Sequence, residues 1–255
     1  MDIRRRNNVQ CFGNGEATLV FAHGFGCDQS MWRFLTPHLE ARYKIVLVDL
    51  TGCGDSDVDA YDEEKYGTLH GYATDLLDIV NQCCNGPVVL VGHAVGAMIG
   101  MLATIKLPSR FAGQVMLSPT PFHLNDDTYI GGVNPEDGEQ LLAMLLRRYA
   151  QWTQRPALPA ELQPRLRRND EALMRYFARV AFLSDLRGDV AKSVVPALIL
   201  HCSDDLLAPQ EVGEYLLAHL PHSMLVHLDA EGHCPHLSAP SASVRAIDSC
   251  LDNLQ

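Results

Sequence analysis

The feature that most limits what this chain can fold into is Gly92-His93-Ala94-Val95-Gly96, set between the apolar run Pro87–Gly92 and the helical stretch Ala97–Ile105. A buried strand that runs straight into a helix needs a sharp turn, and flanking glycines let backbone pass close by. The pattern is that of a nucleophile elbow, G-x-S-x-G, with alanine in the serine position. Such a turn holds residue 94 at the top of a sheet and aims the Val95 backbone N–H at a reacting centre. The helix N-terminus adds partial positive charge at the same point.

The rest of the chain supplies the sheet that this elbow requires. Short apolar runs recur at Ala17–Ala22, Lys44–Leu50, Pro87–Gly92, Gln114–Leu117, Ala197–His201 and Met224–Leu228. Helical periodicity fills the intervals; in Thr68–Cys83 the residues Leu69, Tyr72, Leu76, Ile79, Val80 and Cys83 trace one face. Asp28 is placed to cap a helix that carries Trp32 and Leu35 toward the core. Apolar strands alternating with helices predict a mostly parallel, doubly wound sheet covered on both faces. From about Pro121 to Val190 the alternation stops and the sequence reads as several helices, an insertion expected to cap the active-site end of a single domain spanning residues 1–255.

Three further pieces fall at predicted strand ends, where ligands bind in such sheets. His23-Gly24-Phe25-Gly26 follows the first run, and the Phe25 backbone N–H could join that of Val95 in an oxyanion hole. Asp204 and Asp205 follow Ala197–His201, and either acid could serve; Asp205 is favoured because it opens a D-x-x-x-P loop ending at Pro209. His233 follows Met224–Leu228 and would be the general base. The chain order of nucleophile position, acid and histidine is that of an α/β-hydrolase fold.

A formal net charge of −11 argues against nucleic-acid binding and against an anionic membrane surface. No run reaches the length of a spanning helix, and MDIRRRNNVQ lacks the apolar core of a signal peptide. The eight cysteines are scattered without a CxxC pair, which is read as reduced thiols in a cytoplasmic protein. His233-Cys234-Pro235-His236 lacks a matching second pair, so neither metal nor cofactor is expected.

The chain also resembles a specific family, the bacterial stress regulator RsbQ and its plant relatives, the strigolactone and karrikin receptors. The resemblance rests on 24–30 (GFGCDQS), 91–103 (VGHAVGAMIGMLA), Leu124-Asn125-Asp126, Ala208-Pro209 and 232–236 (GHCPH). It implies a helical lid over a small apolar pocket and slow hydrolysis of esters, lactones or butenolides, which some members use for signalling. It would place Phe25, His93, Val95, Phe122, Trp152 and Phe182 near the ligand. The family carries serine where this chain has Ala94.

Three readings of Ala94 follow. It is a deliberate serine replacement that traps ligand, the mark of a non-hydrolytic binding protein, or a gap filled by a neighbouring thiol such as Cys27 or Cys234. The expected activity is hydrolysis of a small hydrophobic ester or lactone through an acyl-enzyme, nearly silent in this chain for want of the nucleophile. The competing expectation is a ligand-sensing protein that regulates a signalling partner.

Overall fold

The computed structural model of the protein describes residues 2–152 and 171–252. Among the described residues, seven strands form one sheet: β1 (Gln10–Phe12), β2 (Thr18–Ala22), β3 (Lys44–Val48), β4 (Val88–His93), β5 (Phe111–Leu117), β6 (Ala197–Asp204) and β7 (Ser223–Glu231). Their order across the sheet is β1-β3-β2-β4-β5-β6-β7. Every neighbouring pair is parallel except β1, which runs antiparallel to β3 at the edge.

Burial on both faces explains why the strands read as continuous apolar runs. In β2, Leu19 and Phe21 join one core cluster with Trp32, Leu35, Ile247 and Leu251. Val20 and Ala22 point the other way, into a cluster with Leu76, Ile79, Ile99 and Leu102. Alternate side chains of a strand face opposite sides, so a strand sandwiched between helices has no polar face. Each large aliphatic side chain buried in this way contributes roughly 1.5–3 kcal/mol. A charge at Leu19 or Val20 would break the corresponding layer.

The helices follow their sequence patterns. Leu69–Cys83 buries the predicted stripe of Leu69, Tyr72, Leu76, Ile79, Val80 and Cys83. Val95–Lys106 is buried from Val95 through Thr104, which is why it is apolar all round rather than amphipathic. The Asp28 side chain accepts a hydrogen bond from the Ser30 N–H and caps a short 3₁₀ segment, Gln29–Phe34. Trp32 and Leu35 behind it are fully buried.

Between β5 and β6, the described residues contain only the isolated bridges Leu124–Val133 and Asp126–Tyr129 as β structure. Helices Gly138–Trp152 and Glu171–Leu183 occupy much of the remainder and contact one another. Met174, Phe177, Ala178, Ala181 and Phe182 of the second helix are buried. No helix among the described residues is long and apolar enough to cross a membrane.

The parallel register sets the site. Ala22 pairs with Gly92 and Val48, and His93 pairs with Leu117. The loops leaving β2, β4, β6 and β7 therefore share the carboxyl edge of the sheet, and each carries one of the residues singled out above.

Candidate active site

At the end of β4 the chain turns through Ala94 at φ 49°, ψ −119°, and enters the helix beginning at Val95. A positive φ is costly for a residue with a Cβ. The surroundings impose it. The Ala94 N–H donates to the Leu117 carbonyl at 2.9 Å, while its own carbonyl accepts the Ala97 N–H at 3.0 Å. Both elbow glycines are required by contact. A Cβ on Gly96 would lie 2.3 Å from the His23 carbonyl oxygen, and one on Gly92 would lie 2.4 Å from the Ala97 Cα. The Val95 N–H belongs to the first residue of the helix, a position without an intrahelical acceptor.

The two acids after β6 separate clearly. Asp204 ends the strand, exposed, and its carbonyl accepts the Gly232 N–H at 2.7 Å. Asp205 turns inward with a fully buried side chain, and the His233 Nδ1–H donates to its Oδ2 at 2.8 Å and Oδ1 at 3.1 Å. Oδ1 also accepts the Leu207 and Ala208 N–H groups at 2.9 and 3.1 Å. Burial alone would raise the Asp205 carboxyl, but the His233 contact and these two donors outweigh it and hold the group below the ordinary carboxylate range. A carboxylate kept ionised beside Nδ1 fixes the tautomer in which Nε2 carries the lone pair.

His93 is part of the same assembly. Its Nε2–H donates to the His233 carbonyl at 2.9 Å, and its ring centroid lies 5.0 Å from that of His233. Burial, reinforced by the neighbouring His233, lowers His93 to about 3, so it stays neutral. Against its other edge a Cβ on Gly24 would lie 2.3 Å from Nδ1, which explains the glycine in the loop after β2. Phe25 in that loop packs on Phe177 and Phe182, centroids 5.9 and 5.5 Å away.

A cavity of about 370 Å³ opens beside Ala94 and His233. Its wall is mostly apolar and includes Phe25, Val95, Val133, Leu141, Phe182 and Leu206, with His93 and His123 as further polar members. Five of the six residues expected near the ligand are placed in the described structure, and four of them line this cavity: Phe25, His93, Val95 and Phe182. Phe122 corrects the expectation. The Arg187 guanidinium sits 4.7 Å over its ring and Tyr129 packs alongside it, so its neighbour His123 reaches the cavity instead. Trp152 ends its helix, and its side chain lies outside the described residues. His123 had no motif to mark it.

The candidate replacement thiols Cys27 and Cys234 also line the cavity. Burial pushes Cys27 well up and Cys234 to about 12, so both are protonated thiols at neutral pH and poor nucleophiles. All eight cysteines are free. Among the described residues, His93, Cys234 and His236 bring possible metal-ligating atoms within 4.8 Å of one another. His93 Nε2 already serves the His233 carbonyl, however, and the thiol is held protonated.

The arrangement pairs an ionised carboxylate with an imidazole, sets the Val95 N–H beside the strained turn at Ala94, and adjoins a mostly apolar cavity. The sequence as a whole agrees with it. Residues 19–247 match the alpha/beta hydrolase family. The chain is an alpha/beta hydrolase. This hydrolase is 36% identical to the karrikin insensitive 2 receptor CA of Petunia hybrida, over 96% of its own length and 95% of the relative's. It is 35% identical to a strigolactone esterase of Arabidopsis thaliana, with 96% of each chain covered. Among solved structures, a hydrolase from Oleispira antarctica superposes with a TM-score of 0.90 at 32% identity, covering 99% of this hydrolase and 97% of that chain.

Proposed function

We propose that this hydrolase is built to cleave small hydrophobic esters or lactones, butenolides included, and that Ala94 leaves it able to bind such compounds but barely to turn them over. The observation that carries the reading is the His233–Asp205 pair, with 2.8 Å between Nδ1 and Oδ2, poised beside an elbow that lacks only a hydroxyl.

With serine at position 94, His233 Nε2 takes the hydroxyl proton as the oxygen attacks the carbonyl, and the Phe25 and Val95 N–H groups receive the developing oxyanion. Collapse expels the alcohol, protonated by His233. Water then releases the acid by the same steps in reverse. Position 94 is read as a serine-to-alanine replacement that traps ligand, because the strained turn, the acid, the base and the cavity are all retained around it. The helices between β5 and β6 act as a lid, supplying the apolar wall through Leu141 and Phe182. A neutral, largely apolar cavity of this size suits a compact uncharged ester.

A second reading has its own support: the similar proteins include karrikin receptors. A chain that encloses a ligand without cleaving it would suit a sensor that acts on a signalling partner. Hydrolysis of p-nitrophenyl acetate and butyrate by the chain and by Ala94→Ser, side by side, separates the two. A burst followed by steady turnover on restoring serine supports the hydrolase. A folded but silent Ala94→Ser protein supports the sensor.

A further inference from the structure

We propose that His93, Cys234 and His236 form a binding site for a cation of the zinc class, and that the bound ion silences the hydrolase by drawing His93 away from the loop that carries His233. The inhibitory half rests on the hydrolase reading; the binding half does not.

The segment 233–236 offers candidate ligands without a matching second pair, and the fold supplies the missing one from the elbow, 141 positions back along the chain. One ligand atom from each of His93, Cys234 and His236 lies within 4.8 Å of the other two. The Cys234 Sγ is 3.8 Å from the His93 Nε2, and the His93 and His236 rings meet edge to face with centroids 4.7 Å apart. Zinc bonds of about 2.0–2.3 Å in a tetrahedron put ligand atoms roughly 3.3–3.8 Å apart, so the set closes on an ion with shifts of about an ångström. Each ligand is held by backbone. His93 ends β4, and the Cys234 carbonyl accepts the Leu237 and Ser238 N–H groups at 2.9 and 3.0 Å at the start of the short helix Pro235–Ser238.

His236 is the residue that asks for a ligand. It is fully buried, and neither ring nitrogen has a hydrogen-bond partner. Buried polar groups are normally paired. Its ring packs on Trp32 at a centroid distance of 4.8 Å, a contact that phenylalanine would make without orphaned nitrogens. His93 and Cys234 line the cavity, which gives the ion a way in and leaves its fourth position facing that space.

One thiolate and two imidazoles suit zinc, and the set holds no carboxylate that would favour magnesium or calcium. Burial keeps both imidazoles neutral, the form with a lone pair to give. The protonated Cys234 thiol loses its proton to solvent on coordination. His93 exchanges its Nε2–H for a proton on Nδ1, which has no partner at the Gly24 edge, so the ring stays neutral and Nε2 can face the ion. One proton leaves for each ion bound. The exchange removes the hydrogen bond from Nε2 to the His233 carbonyl, and the loop loses that tie.

The test titrates the reduced chain, as it stands, with Co²⁺. A thiolate ligand adds a charge-transfer band in the near ultraviolet, and tetrahedral coordination adds strong visible absorption. Both are expected at one ion per chain, and zinc should displace them. Cys234→Ala should abolish the charge-transfer band and weaken binding by about 100-fold or more, since even outer partners of a metal are worth about 10–100-fold. His236→Phe, which keeps a ring on Trp32, should weaken binding and lose the tetrahedral absorption. Should that variant fail to fold, the half-buried Cys234 still decides. Cys27→Ala, at the other cavity thiol, should keep the band. No band at saturating Co²⁺, or one that survives Cys234→Ala, overturns the site. In the Ala94→Ser background, saturating zinc should lower p-nitrophenyl butyrate turnover about tenfold or more, reversibly with a chelator. Turnover that zinc leaves unchanged overturns the part given to His93. A Cys234-dependent band in a chain whose Ala94→Ser form is silent sinks the hydrolase and spares the site. Turnover by Ala94→Ser without any band does the reverse.

Discussion

The His93 Nε2–H donates to the His233 carbonyl at 2.9 Å, so the residue preceding Ala94 holds the loop that carries His233. Its Nδ1 edge meets Gly24, and three loops from three strands thus converge on one ring. His93 is a positioning residue in this arrangement. In an Ala94→Ser background, His93→Phe is expected to lower kcat for p-nitrophenyl butyrate by about 10–100-fold, since a misplacement of about 1 Å can cost that much, with KM changed far less. His93→Gln, which can still donate, should recover part of the loss. An unchanged kcat in His93→Phe would show that the loop holds itself.

Asp205, its own side chain fully buried, fixes the His233 tautomer by accepting from Nδ1. Asp205→Asn in the Ala94→Ser background should reduce kcat by about 10⁴-fold, because an amide at that place can stabilise the wrong tautomer. Ligand binding by the parent chain should change little with the same substitution. Asp204→Asn is the control, since that side chain is exposed and does not touch His233; a comparable loss there would mean that the acid has been misassigned.

The elbow stores strain that substitutions can reveal. Ala94 sits at φ 49°, where glycine is free of the Cβ penalty, so Ala94→Gly should stabilise the chain by about 1 kcal/mol in urea unfolding. Gly96→Ala should act in the opposite sense. Its Cβ would lie 2.3 Å from the His23 carbonyl oxygen, and a loss of about 2 kcal/mol or more is expected because backbone must move. A Gly96→Ala protein as stable as the parent would mean that the contact between β2 and the elbow is softer than drawn.

Much of this site was legible because its chemistry is tied to strand ends. The pentapeptide at 92–96 could be read since only a tight strand-to-helix turn asks for glycine on both sides, and Asp205 since D-x-x-x-P closes its own side chain onto the Leu207 and Ala208 N–H groups. Strand β1 was missed because three half-exposed residues at a sheet edge carry no apolar signature. Strand β5 starts three residues before the apolar run expected at Gln114, because Ala112 is exposed and Gly113 is neutral in pattern. The exchange of Phe122 for His123 was invisible for a different reason. Which of two adjacent loop residues faces the cavity depends on Arg187, some sixty residues away, stacking over the phenylalanine.

Acid should unfold this protein through histidines that stay neutral inside it. His93, His201 and His236 are almost fully buried. Burial lowers His93 to about 3 and His201 to about 4, and drives His236 well below its ordinary value. Above the unfolded value of about 6.5 these rings are neutral in both states and contribute no pH dependence. As pH falls below that value, the unfolded chain takes up protons that the folded chain refuses, so stability drops by about 1.4 kcal/mol per pH unit for each ring. The fall continues until the folded values are reached. Asp205 adds to the same trend only below its ordinary unfolded value of about 3.9, where the unfolded carboxyl protonates while the folded one stays ionised, and its contribution levels off once pH passes the depressed folded value. Urea unfolding at intervals from pH 7.5 to 5 should therefore show a steep, accelerating loss. Replacing His201 by a neutral residue that leaves the chain folded, such as Gln, should flatten the slope by close to one proton's worth. A stability that stays level between pH 6.5 and 5 would show that these imidazoles charge in place, and that water or a polar partner reaches them inside the fold.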